Sequence, residues 1–156
     1  IVGFNMGAGR KDRVKQLLTK LLIVEATVGL VALIIFESFP RQLISIFGSA
    51  KESVYYTEFA VRCIRIFLSM IILSCLNKGV TIFTQSLGKA GLSTCLSLLR
   101  EIVFGVGLPL LLPLFFGLNG VLYFMVFADI FTFIVAVFFL FNIYKSLSDK
   151  EAIKCV

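Results

Sequence analysis

The stretch over residues 83–120 most constrains what this chain can fold into. It contains the end of one apolar helix, a short basic turn, a second apolar helix and a tight Gly-Leu-Asn-Gly turn. Apolar segments of this length between short turns are typical of transmembrane helices, which need about 20 consecutive apolar residues. The stretch therefore predicts a chain that crosses a membrane more than once.

The composition of the whole chain agrees with this prediction. Of its 156 residues, 59% are hydrophobic and 15% are charged, and the mean hydropathy is +1.02. Globular chains average about 45–50% apolar and about 25% charged residues. We therefore predict an all-α membrane protein with four transmembrane helices, over residues 17–36, 59–87, 94–116 and 121–144.

These four helices suggest three parts of the chain. Residues 1–16 are expected to end a preceding helix and form a basic cytoplasmic loop. Residues 17–147 form the four-helix portion, and residues 148–156 form a cytoplasmic tail. Pro40 ends the first span, and a short interfacial helix over residues 41–47 leads into a turn over residues 48–52.

The basic residues predict an orientation. The net charge of +6 is spread between the apolar segments, so it indicates topology and not nucleic-acid binding. Arg41 and Lys51 lie in the loops on one side, and Arg62 and Arg65 lie near that side. The positive-inside rule then places both ends in the cytoplasm of a multi-pass protein of the plasma (inner) membrane. The side with the chain ends carries nine basic residues: Arg10, Lys11, Arg13, Lys15, Lys20, Lys89, Lys145, Lys150 and Lys154.

The sequence gives little support to metal or enzyme chemistry. It contains no histidine, and its four cysteines are scattered without a C-x-x-C spacing. We expect no metal, no cofactor and no catalytic residues, because nothing in the chain resembles an enzyme site.

Ionisable residues inside the predicted spans are the functional candidates. Such a residue costs about 2.5–3.5 kcal/mol near the bilayer centre on insertion scales, so it normally faces a bundle interior or a wet cavity. Glu25 and Lys78 lie at similar depths, about 12 and 14 Å from the cytoplasmic ends of their spans. They are candidates for ion coupling or gating, or for a static ion pair that fixes helix packing.

The third and fourth spans carry the other candidates. Arg100 and Glu101 are neighbours, so their side chains point about 100° apart on a helix, and each is expected to find its partner elsewhere. They are predicted to be structural or gating charges. Pro109 and Pro113 predict a kink further along this span. Asp129 is predicted to be a lone acid in the outer half of the fourth span, with either an ion-coupling or a structural role.

Several phrases of the sequence resemble one transporter family, the multidrug and toxic compound extrusion (MATE) family. Residues 5–15 read N-x-G-A-G-R-x-D-R-V-K, and residues 83–89 read FTQSLGK, similar to the family's F-Q-A-I-G-K. Residues 96–102 and 114–121 read LSLLREI and LFFGLNGV, as in its next-to-last helix and the following turn. Residues 128–133, ADIFTF, lie where the family has S-D-I-x-S-F.

The resemblance implies a fold and a function. Members have twelve helices in two six-helix lobes, so this chain is expected to be a C-terminal fragment with helices nine to twelve, without the N-terminal lobe. They export cationic and amphipathic compounds in exchange for sodium ions or protons by alternating access. Members with a cation site in the C-terminal lobe place an acid in the tenth helix, where this chain has Asn77 and Lys78.

Two other functions fit the helix pattern. A lipid-linked oligosaccharide flippase of the same superfamily would need a basic cavity for a pyrophosphate headgroup, and only Lys78 and Arg100 lie in the spans to provide it. A non-transporting membrane subunit is the other possibility. It would need no charged residues inside the spans, and the presence of such residues in this sequence counts against it.

Overall fold

The computed structural model of the protein describes residues 1–46 and 54–148. These residues form an all-helical bundle, which confirms the predicted fold class. The predicted turn over residues 48–52 and the tail from residue 149 lie outside the described residues. The elements are α1 (Val2–Gly7), α2 (Lys11–Ser38), α3 (Pro40–Ile46), α4 (Val54–Leu68), α5 (Ile71–Ser86), α6 (Ala90–Leu98), a π-helical segment (Leu99–Phe104), α7 (Gly107–Phe116) and α8 (Leu118–Ser148).

The described helices contain three long apolar spans, or four if a bent pair is included. The three are Lys11–Ser38, Ala90–Phe116 and Asn119–Lys145. The bent pair, Tyr55–Leu68 with Ile71–Ser86, turns through 41° at its break. The four predicted spans therefore match the structure when α4 and α5 cross the membrane as one broken span.

The first span is longer than predicted, and the short helix after it begins at Pro40. Helix α2 begins at Lys11. Lys11, Arg13 and Lys15, which were predicted to lie in a loop, therefore belong to its first turns. Pro40 is the first residue of α3, a position where its missing N–H removes no helical hydrogen bond. The short helix predicted over residues 41–47 is thus present as Pro40–Ile46.

The second span is interrupted in an apolar part of its sequence. The break falls at Ser69 and Met70, where the Ser69 hydroxyl donates a 2.8 Å hydrogen bond to the Ile66 carbonyl. Asn77 and Gly79, which interrupt the apolar composition, lie buried inside the continuous helix α5. The bend of the second span therefore lies at the Ser69 hydrogen bond and not at the polar residue Asn77.

The third span is interrupted one turn before its prolines. Pro109 has no N–H to donate to the Gly105 carbonyl four residues earlier, so the α-helical pattern cannot pass this point unchanged. The Gly105 N–H bonds instead to the Arg100 carbonyl at 2.8 Å, five residues back, which widens the turn. Pro113 lies inside α7. The predicted kink is therefore a π-helical turn that surrounds Arg100 and Glu101.

Helix α5 lies at the centre of the bundle and packs against α2, α6 and α8. Gly29 of α2 allows α2 and α5 to pack closely, because a Cβ atom on Gly29 would lie 2.9 Å from the Ile72 Cα. Between α7 and α8 only Gly117 turns the chain, with a φ of 56° that favours glycine. Two buried apolar clusters form the core: Val14, Leu18, Phe83, Ile143 and Leu147, and Val80, Leu96 and Ala136.

Candidate functional site

An ion pair with a buried carboxylate and a partly buried guanidinium joins two of the long spans. Arg100, in the π-helical segment, donates from Nη2 and Nε to the Asp129 Oδ1 of α8, at 2.9 and 3.2 Å. The Asp129 residue is 3% exposed. Breaking such a pair leaves a buried charge without compensation, which typically costs 3–5 kcal/mol. Asp129 and Arg100 therefore act as one unit.

This pair corrects the prediction that Asp129 is a lone acid away from other charges. Helix α8 begins at Leu118, so Asp129 lies about 16 Å along it at 1.5 Å per residue. Arg100 lies about 15 Å from the start of α6 at Ala90 by the same count. Each is the eleventh residue of a 27-residue apolar span, and the two residues meet because α8 packs back against α7 and the π-helical segment.

Helix α5 completes the cluster. The Arg100 Nη2 also donates to the Ser74 hydroxyl at 2.8 Å, and the Asn77 Nδ2 donates to the Asp129 backbone carbonyl at 3.1 Å. Sequence reasoning did not select Ser74 as a partner of Arg100 or Asn77 as a partner of Asp129. Their spacing of three residues, which places both on one face of α5, was the available signal.

Two buried polar atoms near this pair have no hydrogen-bond partner within the described part of the chain. They are Asn77 Oδ1 and Thr132 Oγ1, and Thr132 follows Asp129 by one turn of α8. Buried polar atoms in proteins are nearly always satisfied, often by ordered water. Water molecules are therefore expected beside the ion pair.

Arg100 and Glu101 contact each other despite being neighbours in the chain. The Arg100 Nη1 lies 3.1 Å from the Glu101 Oε1, and the Glu101 side chain is 71% exposed. The prediction that each must find its partner elsewhere is wrong for Glu101. The guanidinium is long and forked, so it binds Asp129 with one part and Glu101 with another.

Glu25 and Lys78 are close in the fold but do not pair. Glu25 is half-buried where α2 crosses α5, and a Cβ atom on Gly79 would lie 3.0 Å from its Cγ. Lys78 is exposed on another face of α5. Within the described residues, no salt bridge within 4.0 Å involves either side chain. Their proposed coupling or gating roles stay predictions.

Two pockets flank the ion pair, with volumes of about 150 and 250 Å³. Both include Arg100 and Glu101, and only the larger includes Asp129. The smaller pocket is also lined by Asn77, Lys78, Thr81, Ile82 and Ser97, and the larger by Gly105, Phe124, Met125 and Ala128.

Long apolar helices with an ion pair between two of them are typical of a multi-pass membrane protein. Comparison with protein families makes the class specific: the MatE family model matches residues 1–111, which is more than half of the chain. The chain therefore belongs to the MatE family of transporters. The matched residues include Glu25, Lys78 and Arg100 and end before Asp129 and α8. No curated protein and no solved structure matches the chain.

Proposed function

We propose that the protein is part of a cation-coupled efflux antiporter, which exports amphipathic or cationic small molecules by alternating access. The observation that carries the proposal is the Asp129 carboxylate, which is buried between spans and held by Arg100. A carboxylate at this depth is a general means of binding a proton or a sodium ion. The coupling ion in this proposal is one of these two.

The proposed coupling step is an exchange of partners at Asp129. A proton or sodium ion on Oδ1 removes the negative charge that holds the Arg100 guanidinium. Arg100 then keeps Glu101, its other carboxylate, 3.1 Å away on the exposed side. Because Arg100 also bonds to Ser74 of α5, its movement would loosen the contact between α5 and α8. Such loosening is what alternating access requires of neighbouring helices.

Glu25 and Lys78 are assigned gating roles in this proposal. Glu25 lies at the crossing of α2 and α5 against Gly79, so a change in its charge would alter the packing of these two helices. The bilayer and a second lobe of the same transporter are the expected surroundings of the exposed apolar faces. Both chain ends are proposed to be cytoplasmic at the plasma (inner) membrane.

The test is efflux of a fluorescent cationic dye from cells that express the full-length protein. Sodium and proton gradients are collapsed separately to identify the coupling ion. Asp129→Asn should abolish gradient-dependent efflux when efflux is expressed per molecule of protein in the membrane. Glu37→Gln is the matched control, because its carboxylate pairs with Arg65 at 3.4 Å in a half-exposed position. Unchanged efflux in Asp129→Asn would make that acid structural and remove the basis of the proposal.

A flippase for lipid-linked oligosaccharides is the second candidate. The observation that favours it is that Lys78 and Arg100 line one pocket. Against it, Asp129 and Glu101 already balance the charge of Arg100, which leaves one cation for a pyrophosphate. Transbilayer movement of a fluorescent polyprenyl pyrophosphate in proteoliposomes, without dye efflux under any gradient, would favour the flippase.

A further inference from the structure

Lys78 is a cation within a span, and no carboxylate of the described residues lies within salt-bridge distance of it. It lies about 12 Å from the C-terminal end of α5 at Ser86. Arg100, by comparison, has two carboxylates. Among the residues that the structure describes, Lys78 forms no salt bridge within 4.0 Å. A charged side chain inside a membrane normally has a partner, so an anion from outside the described residues is expected at Lys78.

The pocket beside Lys78 has the chemistry to hold an anionic group. Its volume is about 150 Å³, and the Thr81 and Ser97 hydroxyls and the Asn77 amide line it. The lining contains two cations, Lys78 and Arg100, and one carboxylate, Glu101. Asp129, which balances Arg100, is not part of this lining and has a side chain only 5% exposed. The formal charge of the lining is therefore +1.

The pocket also has an apolar side. Ile82, one turn after Lys78 on α5, lines it and is 57% exposed. Helix α6 adds exposed Leu98 next to Ser97. A ligand whose charged end lies at Lys78 can therefore leave its apolar part along the outer face of these helices. A free inorganic anion would gain nothing from that surface.

We infer that this pocket binds the anionic headgroup, a carboxylate or a phosphate, of an anionic or zwitterionic amphipathic compound. The inference rests on the proposed export of amphipathic molecules and specifies their charge. The Lys78 ammonium supplies the ion pair, and the Ser97 hydroxyl donates a hydrogen bond to a headgroup oxygen, whereas the Thr81 hydroxyl already donates to the Asn77 carbonyl at 2.9 Å. Glu101, which is exposed and shares the pocket, opposes the ligand by like-charge repulsion.

The test is equilibrium binding to the purified full-length protein in nanodiscs, without an ion gradient. A fluorescent fatty acid, 11-(dansylamino)undecanoic acid, serves as the bound probe. The competitors are dodecyl phosphate, dodecyltrimethylammonium and inorganic phosphate. Dodecyl phosphate is expected to displace the probe at a concentration at least tenfold lower than either of the other two.

Substitutions should move this affinity in opposite directions. Lys78→Gln should weaken dodecyl phosphate binding at least tenfold, and Lys78→Arg should stay within threefold of wild type. Glu101→Gln should tighten binding, because it removes the repelling carboxylate. Lys89→Gln is the matched control, since Lys89 is an exposed lysine in the turn after α5 and does not line the pocket. It should leave the affinity unchanged.

Three outcomes would overturn the inference. They are equal displacement by the phosphate and the ammonium amphiphile, equal displacement by inorganic phosphate, and wild-type affinity in Lys78→Gln. These measurements use no gradient, so they stand apart from the efflux test of Asp129. Loss of efflux in Asp129→Asn together with unchanged binding in Lys78→Gln would support the antiporter and reject the anionic headgroup.

Discussion

The Arg100 guanidinium and the Asp129 carboxylate approach within 2.9 Å, although 29 residues separate them in the chain. The contact joins the widened turn of the third span to the first half of the fourth. Ser74 and Asn77 add a third helix to the same cluster through hydrogen bonds to Arg100 and to the Asp129 carbonyl. The ion pair and these two hydrogen bonds thus connect three helices.

A double-mutant cycle should show strong coupling between Arg100 and Asp129. Arg100→Gln and Asp129→Asn each leave one partner unbalanced, so each should lower the free energy of unfolding by roughly 3–5 kcal/mol. The double variant should lose less than the sum of the two, with a coupling of about 0.5–3 kcal/mol. Denaturant unfolding of the purified protein in mild detergent measures the four free energies.

The control for this cycle is the pair Arg65 and Glu37, whose nitrogen–oxygen distance is 3.4 Å and whose side chains are half-exposed. An exposed pair is screened, so its coupling should stay below about 1 kcal/mol. Equal coupling in the two cycles would show that the Arg100–Asp129 pair is no more than a surface contact in energetic terms.

Gly29 should be intolerant of any side chain. A Cβ atom there would lie 2.9 Å from the Ile72 Cα, so α2 and α5 would have to separate. Gly29→Ala should therefore destabilise the protein by roughly 1–3 kcal/mol, as expected for overpacking. Gly91→Ala, in α6 with no neighbouring atom within 4 Å of the added carbon, should be neutral or stabilising. The thermal unfolding midpoints of the two variants are compared, with size-exclusion chromatography as the readout. Equal midpoints would contradict the tight crossing of α2 and α5.

The sequence was sufficient to predict the apolar spans and their order, because apolar length and short turns determine them. It also identified Arg100, Glu101 and Asp129 as notable, since ionisable residues inside apolar segments are rare. It did not show that Arg100 meets Asp129. That contact depends on where α8 starts and on how tightly Gly117 turns the chain, and a one-turn error moves a residue by about 5.4 Å.

The break in the second span could not be predicted from the sequence either. Ser69 and Met70 look like ordinary members of an apolar run, whereas Asn77 and Gly79 look like an interruption. In the structure the helix breaks at Ser69 and Met70 and continues through Asn77 and Gly79. The Asn77 side-chain amide donates a hydrogen bond to the Asp129 carbonyl of α8. Tertiary hydrogen bonds of this kind cannot be inferred from the composition of one helix.

Gly105 should be essential for the π-helical turn. A Cβ atom at this position would collide with the Glu101 carbonyl oxygen, so Gly105→Ala should force the turn to rearrange and shift Arg100 away from Asp129. We expect faster amide exchange over residues 99–104 and weaker dye efflux. Gly107→Ala is the matched control two residues away, because its added carbon meets no atom within 4 Å. Identical exchange in both variants would show that the turn does not depend on Gly105.

The charge distribution makes a final prediction about orientation. Lys89, in the turn between α5 and α6, and Asn119, at the start of α8, lie at opposite ends of one span. The positive-inside rule places Lys89 in the cytoplasm and Asn119 outside. In a cysteine-free background, a membrane-impermeant maleimide should label Asn119→Cys in intact cells.

Lys89→Cys should react with the same maleimide only after the cells are permeabilised, and Arg10→Cys should behave like it, because both belong to the basic side. The opposite labelling pattern would show that the protein has the opposite orientation in the membrane. In that case an inward gradient would reach Asp129 from the side of the Lys89 turn. The proposed partner exchange at Arg100 would then need a different path for the ion, so labelling of these positions tests the geometry of the proposed coupling.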